Sequence, residues 1–266
     1  MSKLLRRPLL ASGLPVHSLT PENAGWTHVG FEVIDLSAGE SLAREGKGRE
    51  LCFVMVAGTV RAKVGGLDFG IIGGRGGPFQ GDPSSLYAPP GLVVELVAES
   101  DCEVAICSAP AEGRLPPRLI PASEVGQETR GKGANTRHVR NILPDTSPHA
   151  ENLLVVEVVT PGGNWSSYPP HKHDRDALPD ESQLEESYYH RLLPAQGYAV
   201  QRVYTDDRSL DETILVQDRD LVLVPRGYHP VGAAHGYDLW YLNVMAGPRR
   251  IWRFHNDPAH KWIIAS

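Results

Sequence analysis

The feature that most constrains this chain is a β pattern that occurs twice. Val33-Ile34-Asp35-Leu36 runs into Ser37-Ala38-Gly39, and Val155-Val156-Glu157-Val158-Val159 runs into Thr160-Pro161-Gly162-Gly163. Each is followed by an apolar run led by a glutamate, at Glu50 and at Glu186, and then by a Pro-x-Gly turn, at Pro89 and at Pro225. Glu50 to Glu186 and Pro89 to Pro225 both span 136 positions. One unit of that length is a small domain, so the pattern predicts two similar β domains, 1–130 and 131–266.

The clearest strands are expected at 153–159, 186–192, 198–204, 221–224 and 239–245, where Val, Ile, Leu and Tyr cluster between turn residues. The 27 glycines and 22 prolines are scattered, as many short strands require. Residues 248–256 (PRRIWRFHN) read either as a short helix or as a closing arm.

A formal net charge of -6 argues against nucleic acid and anionic membrane surfaces as partners. No apolar run is long enough to span a bilayer, and Pro8, Ser12, Gly13 and Pro15 interrupt the start before a signal peptide could form. Three cysteines without a paired spacing read as reduced thiols of a cytoplasmic protein. The Gly-rich stretch 70–79 lacks phosphate-loop spacing. The acidic stretch 204–220 lacks Ca²⁺-loop spacing and reads as a solvated hairpin.

Chemistry concentrates in the second half. His171 and His173 lie two positions apart, so on a strand both imidazoles face one side and Lys172 the other. Glu186, Tyr188 and His190 share a face by the same rule. His229 follows a Pro-Arg-Gly turn able to aim it back. Three imidazoles and a carboxylate suit one divalent ion, zinc first, with Mn, Fe or Ni also compatible. Twelve residues separate His173 from Glu186, which leaves Glu181 and Glu185 as rival ligands. The first half has no histidine between Leu36 and Glu50, and Val93 stands at the offset of His229. That half is expected to lack the site.

The order HxH, Glu, then His resembles the cupin superfamily, which implies an all-β fold of two tandem jelly-roll-like barrels, a bicupin. Longer stretches are similar to the 5-deoxy-glucuronate isomerases of myo-inositol breakdown: RHVRNILPD (137–145), 151–174, LEESYYHRL (184–192), LVLVPRGYHPV (221–231) and 237–263. The resemblance implies an aldose–ketose isomerase that converts 5-deoxy-D-glucuronate to 5-dehydro-2-deoxy-D-gluconate. Such a reaction moves a proton between C2 and C1 through an enediol, or shifts a hydride.

Candidates for proton transfer are His190, Tyr188 and Glu185. Tyr241 and Asn243 are expected to line the cavity. Arg202 and Arg226 are the first candidates for the substrate carboxylate, ahead of Arg249, Arg250 and Arg253. The partner is a small sugar acid, with a homo-oligomer compatible. Competing readings are a 5-keto-4-deoxyuronate isomerase, a cupin dioxygenase and a non-catalytic sugar-binding bicupin.

Overall fold

The computed structural model describes residues 2–11 and 14–265. The protein is all-β, as expected, with antiparallel sheets and only short helical turns. It divides into two compact units that interleave along the chain, so no single cut near residue 130 separates them. One unit holds Leu9–Gly126 and Asn141–Val155; the other holds the chain up to Pro8, Gln127–Arg140 and the residues from Val156 onward.

In the first unit, a six-stranded sheet runs in the order Arg118–Ile120, Ser85–Ala88, Arg49–Ala57, Cys102–Pro110, Gly30–Leu36, His17–Leu19. A four-stranded sheet runs Ser41–Glu45, Val93–Ala98, Thr59–Val64, Leu67–Gly73. Strict alternation in Val93–Ala98 and Thr59–Val64 buries every second residue. These meet Leu51, Phe53, Met55, Leu86, Val104 and Ile106 of the larger sheet in one apolar core. Antiparallel strands with one face in a core and one in water give this period of two.

The second unit repeats the plan. Leu221–Val224, Glu185–Leu193, Asp238–Ala246 and Leu154–Thr160 are neighbours in the larger sheet; Trp165–Ser166, Val231–Ala233, Ala199–Tyr204 and Asp211–Val216 form the smaller one. The strand Leu5–Arg6 adds to the edge of Leu221–Val224. Residues 248–254 form no helix. They are an arm whose end, His255–Asn256, pairs with His171–Lys172. The stretch 204–220 closes the hairpin of Ala199–Tyr204 with Asp211–Val216.

Register exposes a difference that the 136-residue offset hides. Phe53 sits between Leu86 and Ile106, and Tyr188 sits between Val222 and Asn243. The residue that corresponds to Glu186 on the inward face is therefore Leu51, not Glu50. A slip of one residue moves a side chain to the other face of a strand. Glu50 points the other way and is fully buried. Its carboxylate accepts the backbone N–H groups of Glu151 (2.8 Å), Asn152 (2.7 Å) and Leu153 (2.6 Å), and the Tyr87 hydroxyl at 2.9 Å. The glutamate that matches in sequence thus ties down a chain segment.

The three cysteines are buried and unpaired. Among the described residues, no helix is long and apolar enough to cross a membrane.

Candidate metal centre

The second unit carries a buried cup. His173, Glu186 and His229 bring one potential ligand atom each to within 4.8 Å of one another. Nε2 of His173 lies 3.0 Å from Glu186 Oε2, and Nε2 of His229 lies 3.1 Å from the same oxygen. Each imidazole is held from behind. Nδ1 of His173 lies 3.0 Å from the Leu184 carbonyl, and Nδ1 of His229 lies 2.8 Å from the Gly227 carbonyl. An N–H donated there fixes the tautomer and leaves the Nε2 lone pair facing the cup. Asn243 Nδ2 donates to Glu186 Oε1 at 2.5 Å, turning Oε2 toward the histidines.

Local sequence explains each placement. The twelve residues between His173 and Glu186 fold on themselves, with Asp174–Ala177 pairing Glu181–Gln183. The hairpin closes so that Leu184 N–H donates to the His173 carbonyl at 3.0 Å, which returns Glu186 to the cup. Glu181 is consumed inside the hairpin, accepting Asp174 N–H at 2.7 Å and pairing with Arg175 at 2.9 Å. Gly227 adopts φ +95, and a Cβ there would fall 2.6 Å from the Tyr204 carbonyl. Only glycine makes that turn and aims His229 inward.

His171 stands beside this trio. Its ring centroid is 4.8 Å from that of His229 and 6.4 Å from that of His173, with Phe254 packed at 4.6 Å. Lys172 points away to Asp206 and the Tyr228 ring, 5.2 Å off.

The electrostatics fit a cation. Burial opposes ionisation of Glu186, but the charge of His229 and the His173 hydrogen bond outweigh it and hold the carboxyl well below its usual range. Burial also works against the His173 imidazolium, yet the Glu186 hydrogen bond and charge raise its pKa. His171 is pushed well below the ordinary value, by burial first and then by His229 and His173. Nε2 of His229 is fully buried and has no hydrogen-bond partner, since its contact with Glu186 is off the hydrogen-bond direction. Bonds of 2.0–2.2 Å to one ion would set ligand atoms about 2.8–3.1 Å apart at right angles and about 3.3–3.6 Å apart at tetrahedral ones, near the 3.0 and 3.1 Å between Glu186 and the two imidazoles. The residues fit a divalent ion.

Around the cup lie Tyr188, Tyr241, Asn243, Ser167, Arg137 and Trp252. The Tyr188 hydroxyl is 2.9 Å from Ser167 Oγ, and burial, then the charge of Glu186, holds its pKa well above the ordinary value. His190 lies one step deeper, its ring 5.9 Å from Tyr188 and 6.0 Å from Tyr241. It is fully buried with no hydrogen-bond partner on either nitrogen, and burial pushes its pKa down to about 3.

Three expected residues fall away. Glu185 pairs with Ala246 and lies on the opposite face of its strand from Glu186, so it cannot serve the cup. Arg202 lies on the outward face of its strand, held by Asp211 at 2.7 and 2.8 Å. Arg226 is exposed, its guanidinium 3.4 Å from Ser209 Oγ. Arg137, which also lines the cavity, was not among the expected residues, although it opens the family-like stretch RHVRNILPD.

Comparison with known proteins agrees with this architecture. The profile of the KduI/IolB family matches residues 4–263. A 5-deoxy-glucuronate isomerase of Geobacillus kaustophilus is 55% identical over 249 residues, covering 93% of this chain and 90% of the relative. One of Bacillus subtilis is 51% identical over 269 residues, covering 99% of each. The crystal structure of an IolB-like protein from Salmonella typhimurium is 51% identical, with a TM-score of 0.96 over 98% of this chain and 99% of that one. An oxalate decarboxylase from Lactobacillus farciminis shares the bicupin fold alone, at 13% identity and a TM-score of 0.68 over 100% of this chain and 91% of that one.

Proposed function

This chain belongs to the KduI/IolB family and is an isomerase, and on that premise we propose that it converts 5-deoxy-D-glucuronate to 5-dehydro-2-deoxy-D-gluconate. The observation that carries the reading is the buried His173–Glu186–His229 cup beside a polar, tyrosine-lined cavity. We assign His171 as the fourth ligand and zinc as the first metal to test, with Mn, Fe and Ni next. A divalent ion held there supplies Lewis-acid polarisation of the carbonyl and charge stabilisation for the enediolate.

The chain's own groups do the rest. Asn243 keeps Glu186 oriented. Tyr188, held protonated by burial, donates a hydrogen bond to a substrate oxygen. His190 stays neutral at physiological pH and is the inward imidazole outside the ligand set. It accepts the C2 proton and returns it to C1 while the C2 hydroxyl proton passes to O1, so that the aldehyde carbon is reduced as C2 becomes the ketone. Burial holds its pKa down to about 3, so it is a weak base and acts as a neutral imidazole.

The cavity between these side chains is narrow, about 30 Å³, room for ordered water and less than a sugar acid needs. Entry of a sugar acid therefore requires the lining side chains to move apart.

The test is to follow 5-deoxy-D-glucuronate by NMR in D₂O, with and without a chelator, beside 5-keto-4-deoxyuronate as a rival substrate. Conversion abolished by chelation and restored by one divalent ion supports the reading. Deuterium appearing at C1 indicates proton transfer through a base that exchanges with solvent and excludes a hydride shift. Absence of conversion by metal-loaded protein rejects the assignment.

A further inference from the structure

We propose that Arg137 recognises the substrate carboxylate and so makes this cavity select a sugar acid over a neutral sugar. The proposal deepens the isomerase reading and takes the identity of the substrate from it, but the anion is argued from the cavity itself. Arg137 begins the strand Arg137–Leu143 and lines the same cavity as His171, Glu186 and Tyr241. Its guanidinium is half-buried and donates one hydrogen bond, from Nη1 to the Asn135 carbonyl at 3.1 Å. Among the described residues it forms no ion pair.

Arg130, Arg202 and Arg249 differ in this respect. Arg130 lines the same wall but is paired with Glu128 at 2.6 Å and lies 5.2 Å from the Trp252 ring. Arg202 holds Asp211 at 2.7 Å, and Arg249 holds Asp176 at 3.3 Å.

A guanidinium cannot shed its proton to escape burial. Burial lowers the Arg137 pKa, and the neighbouring Arg130 charge acts in the same direction while Glu128 acts against it. A half-buried cation without an acid partner is a standing cost that an anionic ligand relieves. Its planar fork matches a carboxylate through two parallel hydrogen bonds. The cavity therefore combines an oxygen-seeking cup with a cation that forms no ion pair among the described residues. The ligand that satisfies both carries carbonyl or hydroxyl oxygens and a carboxylate.

The experiment compares wild type, Arg137→Met and Arg137→Lys, each metal-loaded and checked for metal content and melting temperature. Calorimetry measures binding of D-glucuronate and of D-glucose, and kinetics measure turnover of 5-deoxy-D-glucuronate. In Arg137→Met we expect D-glucuronate affinity to fall about 10- to 100-fold. We expect KM for the substrate to rise by a similar factor, and D-glucose binding to change by less than about 2-fold. Arg137→Lys, which keeps the charge without the fork, lies between.

Equal weakening for the acid and the neutral sugar, or D-glucuronate binding unchanged in a folded, metal-loaded Arg137→Met, overturns the proposal. So does a wild type that binds no sugar acid. If wild type fails to turn over 5-deoxy-D-glucuronate while Arg137→Met still loses D-glucuronate selectively, the isomerase reading falls and the role of Arg137 stands. If Arg137→Met does not fold, Arg137→Lys decides by the same acid-against-neutral comparison.

Discussion

The strands Arg49–Ala57 and Glu185–Leu193 hold the same place in two copies of one architecture, yet their inward faces differ completely. One presents Leu51, Phe53 and Met55 to a dry core. The other presents Glu186, Tyr188 and His190, with Asn243 and Tyr241 opposite. The apolar face gains stability from burial. The polar face gives some of that up to hold charges and unpartnered nitrogens ready for a ligand. Each unit also has a buried glutamate, but Glu50 is spent on three backbone N–H groups while Glu186 keeps an oxygen turned to two imidazoles.

If the division is real, substitutions on the two faces should separate activity from stability. The largest effect belongs to His173→Ala, His229→Ala and Glu186→Gln. Each should lower turnover by at least about 10²–10³-fold and abolish metal in elemental analysis, with the unfolding midpoint nearly kept. His171→Ala should also lose metal; full metal content there would remove His171 from the ligand set.

Phe53→Ala should do the opposite. It should cost about 3–5 kcal/mol in urea unfolding, with the metal content of the folded fraction unchanged. Glu50→Ala should cost about 3 kcal/mol, because it strands buried donors, again with metal retained. Metal loss in Glu50→Ala would mean that the two glutamates are not functionally distinct.

The cup should also show in a proton count. The His173 pKa is raised, so in the metal-free protein its stabilising contribution is complete below pH about 6.5 and fades as pH rises through the raised value. Metal needs that imidazole neutral, so binding near pH 6.5 should release up to about one proton, and affinity should fall as the solution is acidified. Calorimetry in two buffers of different ionisation enthalpy measures it. No proton release at that pH would contradict the coupling of His173 to Glu186.

The smallest stability change is expected for His190→Leu. Removing two unpartnered buried nitrogens should leave stability within about 1 kcal/mol or improve it. Loss of turnover with metal intact would support proton transfer by His190; near-normal turnover would remove it from the mechanism.

Sequence alone determined what local chemistry determines. The strand positions were legible because Val, Ile and Tyr runs between Gly and Pro turns leave few alternatives. The order of His173, Glu186 and His229 was legible because histidine and glutamate are rare among apolar strands without a purpose.

Only tertiary structure decided which glutamate faces the cup, because that depends on where the 174–183 hairpin closes rather than on the count of residues across it. Register likewise decided that Glu50 is no counterpart of Glu186: a one-residue shift is nearly invisible in an alignment of repeats but reverses a strand's faces. Arg202, Arg226 and Arg137 look alike in sequence. An arginine's role rests on whether a carboxylate from a distant segment reaches it first. Asp211 reaches Arg202, and no acid pairs with Arg137 among the described residues.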